Sequence, residues 1–266
     1  MSNATQYTGY TNLQCEVIGN TALLTIANPP ANTWTSAGLQ ALTRLVHDLN
    51  ANPAIYSLVV TGEGQKFFSA GADLKLFADG DKAVALDMAR RFGEAFETLS
   101  QFRGVSIAAI NGYAMGGGLE CALACDLRIA ESQAQMALPE ATVGLLPCAG
   151  GTQNLAWLVG EGWAKRLILC GERIDAATAL RIGLVEEVVA TGGALDRALA
   201  LAKQAGKQSP VSVKACKQLI QGARKQPLAA VLPQEREAFL GLFDTADQKE
   251  GVAAFLEKRQ PVWSNA

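Results

Sequence analysis

The chain has 266 residues, 49% of them hydrophobic and 18% charged, with a formal net charge of -2. These proportions suit a well-buried globular protein, exclude a disordered chain and give no reason to expect a nucleic-acid partner. Six cysteines stand singly and His47 is the sole histidine, which argues against a zinc site and fits free thiols in a reducing compartment.

The first twelve residues are polar and lack the basic-then-apolar layout of a secretory leader. No apolar run reaches the roughly 18 residues that a membrane helix needs. The closing Trp263-Ser264-Asn265-Ala266 is not a peroxisomal address, so a cytoplasmic location is the expectation. Ala22 to Ile26 reads as a short apolar strand, stopped by Asn28-Pro29-Pro30. Leu39, Leu42, Val46 and Leu49 recur at helical spacing and predict an amphipathic helix over 36–50. His47 falls with Gln40 and Arg44 on the opposite stripe, where a solvated side chain is expected. Residues 56–61 and 106–110 read as buried strands with a helix over 82–101 between them, a rhythm that argues for right-handed strand–helix–strand units. From about 193 strand signals vanish. Helices are expected near 193–206, 210–222, 228–242 and 245–257, with Pro210 and Pro233 near two starts and Gly222 at an end. The layout predicted is an α/β core domain over 1–192 and a helical region over 193–266.

Two common chemistries are missing. No Gly-x-Ser-x-Gly elbow occurs, Ser69 being the nearest miss, and no Gly-x-Gly-x-x-Gly turn follows the first strand. Three other stretches place glycines and lone carboxylates where a plain core would not. They are Lys66 to Lys75 (KFFSAGADLK), Asn111 to Glu120 (NGYAMGGGLE), and Leu138-Pro139-Glu140 with Ala149-Gly150-Gly151 further on. Gly116-Gly117-Gly118 exposes amides and admits a close ligand; a helix starting there would aim its unpaired N–H groups outward. Gly71-Ala72 makes a second such turn, and two donor-rich turns side by side are what an oxyanion hole requires. Glu120, one helical turn past Gly117, and Glu140 both stand in apolar company, where burial raises a carboxyl pKa towards the range of a proton donor. Cys121 and Cys125 read as core residues.

Taken together and in this order, the three stretches resemble the crotonase, or enoyl-CoA hydratase/isomerase, superfamily. The resemblance implies a spiral core of repeated ββα units and a helical C-terminal trimerisation region, in a homotrimer or a dimer of trimers. It implies that the amides of Ala72 and Gly117 hold a thioester oxygen. Ala31, Ala70, Asp73, Leu74, Lys75 and Gly116 would then line the acyl-CoA site, with coenzyme A entering as part of the substrate and no separate cofactor or metal. Glu120 and Glu140 match the two acids of hydratases, which add water across the 2,3 double bond of a 2-enoyl-CoA. The alternatives on the same scaffold are a double-bond isomerase and a specialised dehydratase. Pro29-Pro30-Ala31-Asn32 and Glu257 to Trp263 resemble carnitinyl-CoA dehydratase-like members, with Pro30 in place of the usual lysine. Cys148 stands where hydratases often carry glycine.

Overall fold

A computed structural model describes residues 6–224 and 226–266. Residues 1–5, part of the polar stretch that argued against a leader, lie outside them.

The chain begins with β1 (Gln6–Tyr7), β2 (Leu13–Ile18), β3 (Thr21–Ile26) and α1 (Ser36–Ala51). A unit of long strand, short strand and helix then repeats three times. The first is β4 (Ser57–Gly62), β5 (Phe67–Ser69) and α2 (Lys82–Ser100). The second is β6 (Val105–Ile110), β7 (Tyr113–Met115) and α3 (Gly117–Ala124). The third is β8 (Leu127–Glu131), β9 (Gln135–Ala137) and α4 (Gly151–Leu169). After β10 (Ile174–Asp175), α5 (Ala176–Arg181) and β11 (Glu187–Val189) the chain is helical: α6 (Ala194–Ala205), α7 (Pro210–Gly222), α8 (Leu228–Gly241) and α9 (Ala246–Leu256).

The long strands form one sheet in the order β1-β2-β3-β4-β6-β8-β11, parallel from β3 onward. The short ones form a second, β10-β9-β7-β5, in which β5, β7 and β9 are parallel. This is the expected spiral of ββα units. The turns containing Gly71 and Gly116 therefore follow the short strands β5 and β7, not the 56–61 and 106–110 strands directly.

Strand periodicity explains why the larger sheet is apolar on both faces. Leu24, Leu58, Val60, Ala108 and Ile110 join the main core with the α1 stripe and with Phe92, Phe96 and Leu99 of α2. Leu23, Val59, Ile107, Ala109 and Ile129 point the other way, onto Ala194, Ala198 and Ala202 of α6. Helix starts follow capping chemistry: Thr35 Oγ1 accepts from the Gly38 amide, and Ser209 caps α7 with Pro210 in its first turn. Pro233 departs from expectation. It lies inside α8, five residues past Leu228, where its missing N–H deprives the Ala229 carbonyl of a helical donor. Gly222 is the last residue of α7, and Ala223 is the cap. His47, Gln40 and Arg44 are exposed as the stripe predicted, and Cys121 and Cys125 are buried.

The C-terminal tail is tied down by Asp247, which is 1% exposed. Its Oδ1 accepts from the amides of Ser264 and Asn265 and from Ser264 Oγ, while Oδ2 accepts from Ser209 Oγ. Large apolar side chains of the last helices remain uncovered, among them Leu228, Leu240, Phe255 and Leu256. Among the described residues no helix is long and apolar enough to cross a membrane.

Candidate active site

Each of the three ββα units delivers one piece of the site at the end of its short strand. At the end of β5 the Gly71-Ala72 turn is fixed from two sides. The Ala70 amide donates to the Ala31 carbonyl at 2.9 Å, and the Trp34 amide to the Gly71 carbonyl at 2.8 Å. Gly71, at φ +86°, abuts the next turn so closely that a Cβ there would lie 2.7 Å from the Met115 carbonyl and 3.0 Å from the Gly117 nitrogen. The two donor-rich turns are thus in contact. Gly117 is the first residue of α3, and neither its amide nor that of Ala72 has a protein acceptor among the described residues. Phe92 of α2 packs beneath: a Cβ on Gly117 would meet its ring at 2.8 Å.

Glu120 is 3% exposed on the first turn of α3. Its Oε1 accepts from the amides of Ala149 at 2.8 Å and Gly151 at 2.9 Å, so the third unit cradles an acid supplied by the second. Burial pushes its carboxyl pKa up, and the two amides pull it part of the way back. Glu140 opens the 3₁₀ turn Glu140–Val143 after β9, and its Oε2 is buried without a hydrogen-bond partner. Burial raises this carboxyl to about 7; its own backbone amide opposes the shift and the charge of Glu120 adds to it. The Cys148 thiol, though exposed at the surface, is pushed up to about 11 by partial desolvation first and then by the negative charges of Glu120 and Glu140.

Of the residues singled out in the sequence, Glu120, Glu140, Ala72, Gly116 and Gly117 converge on one locus. Ala31 and Ala70 are paired directly behind it. Asp73 caps the 3₁₀ turn Leu74–Phe77 through the Lys75 amide, leaving Leu74 and Lys75 exposed at the rim. Three contributors went unread: the Ala149 and Gly151 amides and the Phe92 ring. The Ala149-Gly150-Gly151 run was the available signal for the first two; nothing local marks Phe92.

A buried acid, Glu120, and a half-buried one, Glu140, thus stand beside two abutting amide turns on a ββα spiral, and residues 16–266 match the enoyl-CoA hydratase/isomerase family. The chain belongs to that family. It is 40% identical to the 2,3-dehydroadipyl-CoA hydratase of Escherichia coli, over 90% of this chain and 93% of that one. Among solved structures it is similar to DspI of Pseudomonas aeruginosa, with 66% identity and a TM-score of 0.94 over 97% of this chain and 98% of that one. An enoyl-CoA hydratase from Bacillus anthracis superposes with a TM-score of 0.93 at 34% identity, over 96% of this chain and all of the other. Family membership accounts for the repeated units and for the glycine-rich turns at the strand ends.

Proposed function

We propose that this protein is an enoyl-CoA hydratase, adding water across the 2,3 double bond of a 2-enoyl-CoA to give the 3-hydroxyacyl-CoA. The observation that carries the reading is the environment of the two acids. Glu120 is buried but doubly hydrogen-bonded through its ionised-form acceptor, whereas Glu140 sits at about 7 with one oxygen unpartnered. Two raised carboxyls held by such different contacts suit one group that orients and deprotonates water and another that delivers a proton.

In this mechanism the thioester carbonyl lies between the amides of Ala72 and Gly117. Glu120 orients the water and takes its proton as the oxygen adds to the β carbon, the charge that moves onto the thioester oxygen is held by the two amides, Glu140 gives a proton to the α carbon, and proton exchange with solvent returns both acids to their starting states. An oxyanion donor of this kind typically lowers a barrier by roughly 3 kcal/mol. Ala31, Ala70, Asp73, Leu74, Lys75 and Gly116 line the CoA-bearing side, with the exposed Lys75 ammonium as the phosphate contact. Coenzyme A enters as substrate, and the reaction calls for no separate cofactor. The retention of both acids speaks against a CoA-binding subunit without activity.

The apolar surface of α8 and α9 supports assembly as a homotrimer or a dimer of trimers through 193–266, with residues 1–192 forming the catalytic core. A cytoplasmic location accords with the free thiols. Purified protein should consume crotonyl-CoA with loss of the conjugated enoyl-thioester absorbance, and Glu140→Gln should slow this by at least about a hundredfold while still binding CoA thioesters. Near-normal turnover of that variant would refute the assignment.

A further inference from the structure

An open cleft of about 460 Å³ lies between the end of α4, the loop leading from it into β10, and α5. None of the residues discussed above for catalysis lines it. Three guanidinium groups, Arg166, Arg173 and Arg181, face two carboxylates, Glu172 and Asp175, which leaves one excess positive charge in a chain of net charge -2.

Internal pairing does not use the three arginines equally. Arg166 donates to both oxygens of Glu172, at 2.7 and 2.8 Å, and stacks 4.2 Å over the Trp163 ring. That pair neutralises itself and makes one wall. Asp175 Oδ1 is occupied as the cap of α5, accepting from the Thr178 amide at 2.8 Å. Arg173 has no ion pair among the described residues and lies 5.8 Å from the centre of the Tyr113 ring. Arg181 makes one long hydrogen bond, 3.4 Å to Thr178 Oγ1. Two exposed guanidinium forks with donors to spare therefore line one open, mostly polar cleft. Such forks match the paired oxygens of a carboxylate or phosphate.

The cavity sits at the starts of β7 and β9, marked by Tyr113 and Gln135, while Gly116 and Glu140 follow their ends. Three-residue strands span roughly 10 Å, so the two loci are separate but share a frame. The loop after α4 also touches the 3₁₀ turn that carries Glu140: a Cβ on Gly171 would lie 3.1 Å from Thr142 Cγ2.

We propose that this cavity binds a small oxyanion-bearing molecule, its carboxylate or phosphate group held between Arg173 and Arg181. Titration calorimetry on the full chain with pyrophosphate and with succinate tests this and tells the two oxyanion sources apart. Saturable binding of either probe is expected, weakened at least about tenfold in the Arg173→Gln, Arg181→Gln double variant. Arg181→Gln alone, which keeps the Arg173–Tyr113 contact, should show part of that loss, and Lys165→Gln on the neighbouring surface none. The proposal is overturned if neither probe binds, if binding is unchanged in the double variant, or if Lys75→Gln weakens it as much as the double variant does, since that would place the anion on the CoA side of the thioester site. Because binding rather than turnover is read, failure here is distinct from failure of the hydratase reading.

Discussion

The carboxylate of Glu140 rests against the backbone of Gly116: a Cβ on that glycine would stand 3.1 Å from Glu140 Oε1. Gly116 also has φ +52° and ψ -126°, a conformation that disfavours any side chain. Gly116→Ala should therefore shift the proton donor and distort the turn carrying the Gly117 amide together. Misplacement on the ångström scale can cost about a hundredfold, and turnover of crotonyl-CoA should fall by at least that much. Retained activity would separate the Glu140 position from the reaction.

Glu140 also gives the fold a pH dependence of defined sign. Its folded-state pKa, about 7, lies above the ordinary 4.5, so the unfolded chain loses this proton first as pH rises. Stability should fall between these two values, because ionisation is disfavoured in the folded state. Glu140→Gln has no such penalty. Its melting temperature should match wild type near the lower value and exceed it at the upper one, by up to about 3 kcal/mol in stability at about 1.4 kcal/mol per pKa unit. Parallel melting curves across that window would show that the carboxyl is not desolvated.

Gly151 is the tightest part of the Glu120 cradle. A Cβ there would lie 2.8 Å from Glu120 Oε1 and 2.9 Å from Pro147 Cβ, leaving neither room to yield. Gly151→Ala should cost about 1–3 kcal/mol of stability as overpacking and reduce turnover more than tenfold as the acid moves. Gly162 lies just past the non-helical Gly160 that divides α4, with nothing within 4 Å of its would-be Cβ. Gly162→Ala should keep full activity and gain up to about 1 kcal/mol from helix propensity alone. Thermal melts and initial rates on the pair distinguish crowding from any general sensitivity of the helix.

Asp247 holds the tail by four hydrogen bonds while 1% exposed. Asp247→Ala would strand two backbone amides and two hydroxyls. A loss of roughly 2–4 kcal/mol is expected, with earlier proteolytic cleavage after residue 260. Asp247→Asn, which keeps one acceptor oxygen, should recover part of it. Unchanged proteolysis in both would mean that the tail is anchored elsewhere.

Long elements were legible because they repeat their pattern often enough to be seen. The leucine stripe placed α1 within a residue of its ends, and the same holds for α2 and α7. The second sheet was not: β5, β7 and β9 are three residues each, too short for an alternation to register. Helix α4 was hidden by Gly160, which takes φ +76° in its middle, and by apolar residues spread around it. Pro233 misled because a proline is more often found at a helix start than inside one. At the candidate site, the burial of Glu120 and Glu140 was readable from their apolar neighbours. The amides that grip Glu120 come from 29 and 31 residues further along, and contacts between distant loops leave no periodic trace.

The spiral has a consequence for how such a protein can change its chemistry. The units ending in α2 and α3 supply the Ala72 and Gly117 turns, while the unit of β8, β9 and α4 supplies Glu140 and the amides that grip Glu120. In the proposed mechanism the third repeat thus carries the proton donor and the grip on the second acid, while Glu120 itself shares α3 with the Gly117 amide. Substitutions between Glu140 and Gly151, a stretch that includes Cys148, can retune proton delivery while the Gly71–Ala72 and Gly116–Gly117 turns stay as they are. The fold allows new reactions to be tried one repeat at a time on an unchanged handle.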